Sequence, residues 1–319
     1  MNSMTTETTF VSTGSRLHFG LTRIKPGSRN CINGVGVMLD EPCTRLEFRP
    51  AEKFSTSGSE RLEIFANAWS THTGKPLPNC EMVLVGQPPE HAGFGSGTQL
   101  AHAVAHGLNQ VSGKATRLDE PEAQNVATIC FRGNRSMVGS FGFVNGGLIV
   151  DGTDGDGKTT LIKQTGLPEK WRVIVAVARQ AAKKFGLQEE SAFANIDSGK
   201  QGRAAELERM ITASILPSAQ NGDFEGFAES VHAYGKLSGE YYVDVQGGVY
   251  NGPVITGVVN ALLGLGARGV GQSSWGPAVF AWCSDEDEAN EIVARLPEAF
   301  GHPLEIFKAA VQNRPAQIA

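Results

Sequence analysis

The amino-acid sequence predicts an α+β fold made of two domains. Its first half is rich in the short apolar and β-branched runs that are typical of strands, whereas its second half alternates such runs with segments of helical periodicity. A Gly-Leu-Pro sequence at residues 166–168 interrupts the chain between the two halves. We therefore predict an N-terminal domain over residues 1–167 and a C-terminal domain over residues 168–319.

Composition narrows the class of protein. The 319 residues are 40 % hydrophobic and 19 % charged, which is typical of a globular chain. The formal net charge of −5 disfavours a nucleic-acid partner, because neutralising phosphates normally requires a basic surplus. No apolar run approaches the roughly 20 residues that cross a bilayer, and the five scattered cysteines predict neither a disulfide framework nor a zinc site. We expect a cytoplasmic protein that acts on small molecules, without a nucleic-acid or membrane partner.

The first elements are predicted from short apolar runs. Residues 11–20 alternate imperfectly between apolar and polar, as a strand does. Residues 35–39 and 44–48 are predicted to form a strand pair around a turn at residues 40–42. A further strand is predicted at residues 81–85.

A glycine-rich loop then leads into a helix. From Thr98, apolar residues recur at helical spacing as far as Val111. The unpaired N–H groups and the positive dipole end of a helix start favour a phosphate, and glycines let it approach closely. A tight structural turn is the alternative interpretation, and no Lys follows to complete a Walker A sequence. The predicted phosphate-binding residues are Gly95, Ser96, Gly97, Thr98 and Gln99.

The second half is predicted as strands separated by helices. Strand-like runs lie at residues 171–178, 278–283 and 304–307. Helical periodicity or a helix-start signal marks residues 202–216, 223–238, 253–263 and 285–296.

Three further segments carry candidate binding residues. Ser15, Arg16 and His18 lie close together, and on a strand Arg16 and His18 project to the same face, where they could grip a carboxylate or phosphate. A solvated edge strand is the alternative. The second segment is glycine-rich and contains Arg132, Arg135 and Ser136, which could bind phosphate or lie on the surface.

The third segment is a polar run between a glycine loop and a predicted buried strand. Such a run is costly to bury unless backbone or ligand satisfies its polar groups. Its residues are Gln272, Ser273, Ser274 and Trp275.

Taken together, these segments resemble a known family. The sequences SRLHFGL, GFGSGTQLAHAVA, RSMVGSFGFVNGGLIVDG and GVGQSSWGPAVFA closely resemble those of the β-ribofuranosylaminobenzene 5′-phosphate synthases, within the GHMP kinase superfamily. The resemblance covers nearly the whole chain, and QSSWGP is its most specific part. It implies a GHMP-kinase-like two-domain fold, with a ribosomal-protein-S5-like N-terminal half and a ferredoxin-like C-terminal half.

One position argues against the kinase reaction of that superfamily. Mevalonate-kinase-like members carry a Pro-Ser-Gly-Val-Asp motif whose Asp is the catalytic base of many members. Laid without a gap on residues 135–138, the motif places that Asp on Gly139, which cannot accept a proton. An ATP-dependent small-molecule kinase nevertheless stays open as an alternative, since some members manage without the Asp. A non-catalytic paralogue that binds a phosphoribosyl ligand is the third reading.

The resemblance implies a reaction between 5-phosphoribosyl diphosphate and 4-aminobenzoate, or a related benzoate, with loss of CO2 and diphosphate. The product, β-ribofuranosylaminobenzene 5′-phosphate, would enter a methanopterin-type cofactor. Mg²⁺ and a homodimer are implied by the family as well.

On this reading, Arg16 and His18 are the predicted catalytic residues and orient the benzoate carboxylate. Arg132 and Arg135 assist the glycine loop in holding phosphate. Asp151 is a candidate magnesium ligand, because magnesium favours one or two carboxylates alongside substrate phosphates. A structural residue at the end of a strand is an equally good reading of Asp151.

Overall fold

The computed structural model describes residues 7–22, 29, 31–114, 116–130, 133, 136–178 and 201–319. The elements of the first half are β1 (Thr9–Leu21), β2 (Cys31–Pro50), β3 (Ser55–Ser57), α1 (Arg61–Thr73), β4 (Cys80–Gly86), α2 (Ser96–Val111), α3 (Glu120–Ile129), α4 (Val138–Asn145), β5 (Leu148–Thr153) and β6 (Thr159–Thr165).

The second half contains, in order, β7 (Arg172–Ala178), α5 (Gln201–Met210), a π-helical turn (Ile211–Ile215), α6 (Leu216–Asn221), α7 (Phe224–Gly239), a 3-10 turn (Glu240–Tyr242), α8 (Val243–Gln246), α9 (Gly252–Gly264), β8 (Arg268–Gln272), β9 (Ala278–Cys283), α10 (Glu286–Phe300), β10 (Leu304–Ala310) and β11 (Gln317–Ile318). None of the described helices is long and apolar enough to span a membrane.

The first sheet is organised around the long strand β2. Its strand order is β11-β1-β2-β4-β3, and β5 pairs with β2 and with β6. β1 runs antiparallel to β2, while β5 pairs with β2 over Cys31–Val37 and β4 over Arg45–Pro50. Because β11 adds to β1, the last strand of the chain returns to the first sheet.

The predicted strand pair around residues 40–42 is wrong. Residues 31–50 form one strand, and the turn signal is absorbed as an irregularity in its pairing with β1. Thr13 pairs with Thr44 and Ser15 with Leu39, so four residues of β2 oppose a single residue of β1. The Asp40 carboxylate accepts the Ala310 N–H at 2.8 Å, which ties this irregularity to the second sheet. A local turn signal therefore became a bulge because both flanking runs pair with the same long strand.

The second sheet has the strand order β10-β7-β9-β8, and all of its pairs are antiparallel. Helices lie between β7 and β8, and α10 lies between β9 and β10. This βαββαβ succession is the ferredoxin-like arrangement expected for the C-terminal half. The predicted boundary at residue 168 falls between β6 and β7, and the division into two domains stays a prediction.

A shared core joins the two sheets. One face of β1 contributes Leu17 and Phe19, which pack with Phe280 and Trp282 of β9 and with Phe227 of α7. Fully burying one such side chain contributes about 1.5–3 kcal/mol. Helices α1 to α4 cover the other side of the first sheet with a separate core. β1 is therefore fixed on both faces, and residues that alternate along it point into different surroundings.

Candidate functional site

The glycine loop turns sharply into α2. Gly93 and Gly95 have φ angles of 97° and 67°, in the region that favours glycine. The N–H groups of Thr98 and Gln99 both donate to the Gly95 carbonyl, at 2.9 and 3.1 Å, and close the turn. Within the described part of the chain, no side chain caps this helix start, and its first turn carries no acidic residue. The first amides of α2 and the positive end of its dipole are thus left for another group.

Three other helices of the same molecule begin with a capping carboxylate. Asp119 caps α3, Asp223 caps α7 and Asp285 caps α10, each by accepting a backbone N–H from the first turn. A carboxylate at this position satisfies an amide and complements the helix dipole. The chain therefore supplies its own anion at these three starts but not at α2.

Arg16 provides a positive charge beside the open helix start. The backbone N–H of Arg16 donates to the Phe94 carbonyl at 2.8 Å, and this hydrogen bond holds β1 against the glycine loop. A Cβ placed on Gly95 would lie 3.3 Å from Arg16 Nε, so the side chain passes directly over that glycine. A guanidinium and a helix N-terminus at one point form an anion-binding arrangement.

His18 is held as a neutral side chain. It is buried, and its Nδ1 accepts the Gly20 N–H at 3.2 Å. The ring proton therefore lies on Nε2, which is 3.1 Å from the Ser136 hydroxyl and donates to it. Burial and the charge of Arg16 lower the pKa of His18 well below its usual value. Of the two groups predicted to share this face, Arg16 is therefore the cation and His18 is a neutral hydrogen-bonding group.

Asp151 lies beneath Ser136 and is fully buried. Its Oδ2 accepts the N–H of Met137, the residue immediately before α4, and the Ser136 hydroxyl donates to the same carboxyl group. Burial raises the pKa of Asp151 to about 7, although these two hydrogen bonds and the charge of Arg16 oppose the rise. Oδ1 has no hydrogen-bond partner among the described residues.

That orphaned oxygen fits a magnesium ion only as a single ligand. Among the residues that the structure describes, no group of three or more His, Cys, Asp or Glu side chains could hold a metal. Magnesium commonly binds through one or two carboxylates and takes its remaining ligands from substrate phosphates and water. Asp151 is compatible with an ion that enters with a phosphorylated substrate, and its role as a ligand stays a proposal.

A loop from the second sheet completes the site. The Ser273 hydroxyl donates to the Gly93 carbonyl at 2.7 Å and accepts a hydrogen bond from the backbone N–H of His18 at 3.0 Å. The Ser274 N–H donates to the His18 carbonyl at 3.2 Å. The buried Ser273 hydroxyl thus donates one hydrogen bond and accepts another within the protein. These two bonds hold the glycine loop, β1 and the β8–β9 loop together.

The rest of this loop divides into supporting and accessible groups. Gln272 accepts the Asn251 N–H and donates to the Ser274 carbonyl, both at 2.8 Å, so it supports the loop. Ser274 is exposed and has a φ of 56°, a conformation that is uncommon outside glycine. Trp275 is half-buried and packs against Tyr242, with ring centroids 5.1 Å apart. Ser274 and Trp275 are the members that a ligand could reach.

Two residues predicted to bind substrate are placed elsewhere. Gln99 is fully buried, and its amide is bonded to Thr13 and to the Gly139 carbonyl, so it cannot reach a phosphate in this structure. Ser15 is also fully buried, and strand alternation puts it on the same face of β1 as Leu17, away from Arg16 and His18. Arg132 and Arg135 lie outside the described residues, so their predicted phosphate contacts stay predictions.

The structure therefore brings together four separated segments of the sequence. The residues that converge on one region are Arg16, His18, Gly95, Ser96, Gly97, Thr98, Ser136, Asp151, Ser273 and Ser274. Sequence reasoning missed Thr13, Tyr242 and Asn251, which hold or line this region. Each is a common residue type in a plain context, and the sequence carries no signal for its role.

The chain is similar in sequence and in fold to known proteins. Residues 215–302 match the model for the GHMP kinases C terminal family. The chain is 26 % identical to the β-ribofuranosylphenol 5′-phosphate synthase of Methanothermobacter thermautotrophicus, over 96 % of this chain and 97 % of that protein. It is 27 % identical to the protein of the same name from Archaeoglobus fulgidus, over 96 % of this chain and 98 % of that protein.

Solved structures show the same fold. A homoserine kinase from Cytophaga hutchinsonii superimposes with a TM-score of 0.71 at 14 % identity, covering 100 % of this chain and 99 % of that one. The L. major mevalonate kinase in complex with R-mevalonate gives 0.71 at 16 % identity, covering 98 % of both chains. The GHMP-kinase fold and the family resemblance predicted from the motifs are thus confirmed.

Proposed function

We propose that this chain is a phosphoribosyl-transferring enzyme that joins 5-phosphoribosyl diphosphate to a para-substituted benzoate. The observation that carries the proposal is the uncapped start of α2 with Arg16 beside it. The motif alignment also places a glycine, Gly139, where many kinases of this superfamily carry their catalytic base. The names of the relatives support ribosyl transfer. Those names specify a phenol product, whereas the motifs led to an aminobenzene product, and both acceptors belong to one chemical class.

The reaction balances without any external oxidant or reductant. The bond between ribose C1′ and the diphosphate oxygen breaks, and its electron pair leaves with diphosphate. The ring carbon that bears the carboxylate attacks C1′, and the bond to the carboxylate then breaks to release CO2 and restore the aromatic ring. A para hydroxyl or amino group donates electrons into the ring and stabilises the positive charge that develops during attack.

The donor side of the site matches the leaving group. Negative charge grows on diphosphate as the C1′–O bond breaks, so donors that are already fixed around it lower the barrier. The amides that begin α2 at Ser96 and Gly97, together with the Arg16 guanidinium, supply these donors in our proposal. Arg132 and Arg135 are proposed to assist, and Asp151 is proposed to contribute one oxygen to a magnesium ion bound by the diphosphate. When bound, that ion would neutralise phosphate charge.

The neutral state of His18 suits a decarboxylation. A carboxylate that leaves as CO2 loses its charge, so a cation that gripped it would stabilise the ground state more than the transition state. His18 is neutral and has both ring nitrogens engaged. We therefore assign Arg16 to the leaving group. His18 holds Ser136 through its ring, and its backbone N–H and carbonyl bind the Ser273 hydroxyl and the Ser274 N–H, which revises the role that the sequence suggested for the pair.

The acceptor ring is proposed to lie against Trp275. This residue follows Ser274, whose N–H is bonded to His18, and its ring already packs with Tyr242. Aromatic rings contribute about 0.5–1.5 kcal/mol beyond area burial when they stack or meet edge-on. The other three tryptophans are at most 1 % exposed. Quenching of fluorescence by 4-hydroxybenzoate that disappears in Trp275→Phe would support this assignment, and quenching that persists would contradict it.

The activity test compares two acceptors in parallel. Purified protein is incubated with magnesium, 5-phosphoribosyl diphosphate and carboxyl-labelled 4-hydroxybenzoate or 4-aminobenzoate, and labelled CO2 is counted. We expect release that requires the ribosyl donor and is indifferent to ATP, with the faster acceptor identifying the para substituent. ATP consumption with small alcohols, and no CO2 from either benzoate, would instead establish a kinase. A magnesium requirement and a homodimer stay proposals, to be checked by chelation and by light scattering.

A further inference from the structure

Gln99 is a fully buried amide that joins three elements of the fold. Its Oε1 lies 2.8 Å from the Thr13 hydroxyl on β1, and its Nε2 lies 2.8 Å from the Gly139 carbonyl on α4. Gln99 itself lies in the first turn of α2. Thr13 is 1 % exposed, so the whole bridge is closed to solvent.

The partners fix the direction of each hydrogen bond. A carbonyl can only accept, so the Gln99 Nε2 group must face Gly139 and donate to it. Oε1 then faces Thr13, and the Thr13 hydroxyl must donate. Each hydrogen bond of the bridge therefore has one fixed direction, and removing either partner of Gln99 leaves a buried polar atom without its hydrogen bond, which destabilises the fold.

The bridge lies directly behind the proposed donor site. Gly139 is the second residue of α4, and the N–H of Met137, immediately before that helix, donates to Asp151. Thr13 precedes Arg16 by three residues on β1. The open start of α2, the strand that carries Arg16 and the start of α4 are therefore held in one fixed arrangement by a single side chain.

The two helix starts meet closely at this point. A Cβ placed on Gly139 would lie 3.3 Å from Thr98 Cγ2 and 3.5 Å from Gln99 Nε2. These distances leave little room for a side chain at position 139. The motif alignment matches position 139 to the acidic base of many kinases of the superfamily, and in this chain the carbonyl oxygen of Gly139 accepts the hydrogen bond from Gln99.

We infer that Gln99 is a positioning residue: it holds the starts of α2 and α4 and the Arg16 strand in the geometry that binds the diphosphate of the ribosyl donor. The sequence suggested that Gln99 contacts phosphate directly, whereas the structure makes its action indirect. This inference rests on the proposed function, because it takes the start of α2 as the donor site.

The test compares two buried amides on the same helix. Gln99→Met removes both bonds of the bridge with a side chain of similar shape. Asn109→Leu is the matched control: Asn109 lies near the other end of α2, is 3 % exposed, accepts from Trp69 Nε1 at 3.0 Å and donates to Glu122. Both variants lose a buried pair of hydrogen bonds, but only one of those pairs lies behind the proposed site.

Binding of magnesium diphosphate is measured by calorimetry, beside the melting temperature and the kinetic constants. We expect both variants to melt at a lower temperature. Gln99→Met should bind diphosphate at least 10-fold more weakly and raise KM for the ribosyl donor more than KM for the benzoate, whereas Asn109→Leu should stay within 2-fold of the unmodified protein in binding. If Gln99→Met bound magnesium diphosphate as tightly as the wild-type protein, or if Asn109→Leu lost as much affinity as Gln99→Met, then Gln99 would have only a structural role. Either result would overturn the inference.

A second pair of variants covers the case in which Gln99→Met does not fold. Thr13→Val removes only the donor to Oε1, and Thr13→Ser keeps it. Thr13→Val should weaken diphosphate binding several-fold while Thr13→Ser restores it, and equal binding in the two would contradict the bridge. A wild-type protein that binds no diphosphate would overturn the donor site and this inference with it. Binding of diphosphate by the wild-type protein without any release of CO2 would contradict only the proposed reaction.

Discussion

The starts of α2 and α10 are built in opposite ways. α10 begins behind Asp285, whose carboxylate accepts the Glu288 N–H at 3.0 Å, and its first turn is acidic. α2 begins behind Gly95, has no capping side chain within the described residues, and has Arg16 beside its first amides. At α10 the chain supplies the anion that a helix start favours. At α2 no side chain of the described residues caps the first amides.

This contrast separates stability from function within one type of element. A capped start contributes to folding whether or not a ligand is present. An open start beside a guanidinium contributes little until an anion arrives, and its value then appears as binding energy. Substitutions at the two starts should therefore affect different measurements, and four predictions use that difference, in order of decreasing expected effect.

Loss of the charge at the open start should have the largest effect. Arg16→Ala should lower kcat/KM for ribosyl transfer by about 100-fold, because removing one preorganised donor to a developing charge typically costs that much. Arg45→Ala is the control, since Arg45 is 56 % exposed and pairs on the surface with Glu41. Steady-state assays of CO2 release should show the control within 2-fold of wild type. Equal rates in Arg16→Ala and Arg45→Ala would refute the assignment.

The helices α2 and α10 also differ in how deeply they are buried, and we expect this difference to affect how stability depends on pH. Thirteen of the sixteen residues of α2 are buried, against three of fifteen in α10. His102 and His106 of α2 are among them, stacked on Phe143, and their ring nitrogens have no hydrogen-bond partners within the described residues. Burial lowers the pKa of His106 to about 4 and that of His102 well below its usual value.

The unfolded chain, with histidine pKa values near 6.5, then binds more protons than the folded chain. The contribution of these histidines to stability should be fully present above about pH 6.5 and fall as the pH drops towards 4, by about 2 kcal/mol at pH 5 for His106 alone. Burial raises the pKa of Asp151 to about 7, so protonation of Asp151 stabilises the folded chain over the same pH range and opposes this loss. Urea unfolding of the wild-type protein and of His106→Leu at pH 7 and pH 5 isolates the histidine: between the two pH values, the wild type should lose about 2 kcal/mol relative to the variant. The same pH dependence in both proteins would contradict this prediction.

The third prediction uses two glycines with the same backbone. Gly95 and Gly74 have φ angles of 67° and 66°, but a Cβ on Gly95 meets Arg16, whereas one on Gly74 meets nothing within 4 Å. Alanine at either position should destabilise the fold by about 1–2 kcal/mol, because both need the left-handed conformation. Only Gly95→Ala should also lower activity, by about 10-fold, because it displaces Arg16. Thermal melts and CO2 release measure the two effects, and an equally active pair would argue that Arg16 is not positioned by that contact.

The smallest effect is expected at the capped start. Asp285→Ala should cost about 1 kcal/mol of folding stability, since it removes the N-cap of α10. Activity at saturating substrate should not change, because α10 packs on the second sheet away from Arg16. Urea melts and initial rates would show this, and a loss of activity without a loss of stability would break the comparison between the two helix starts.

The sequence was informative wherever local chemistry decides the structure. The glycine loop, the α2 stripe and the capping Asp residues are local signals, and the structure confirms those elements. The motif resemblance supplied the fold. The turn predicted at residues 40–42 failed because long-range pairing of β2 with β1, β4 and β5 overrides a local signal.

The detail of the site was less predictable for a different reason. Gln99, Ser273 and Gln272 look like ligand donors in the sequence because they are polar and lie in or next to glycine-rich loops. In the structure, Gln99 binds Thr13, which is 86 residues away in the sequence, and Ser273 binds His18, which is 255 residues away. Gln272 binds Asn251, which is 21 residues away. Burial assigns these side chains to the protein itself, and burial of a polar residue depends on tertiary packing that one sequence does not reveal.

The most direct test of the account is a crystal structure of the protein with magnesium and diphosphate. We predict that the anion lies at the start of α2, within hydrogen-bonding distance of the Ser96 and Gly97 amides and of the Arg16 guanidinium. Diphosphate bound elsewhere, with the α2 start unchanged and Arg16 turned away from it, would contradict the central claim that this helix start is left open for the donor.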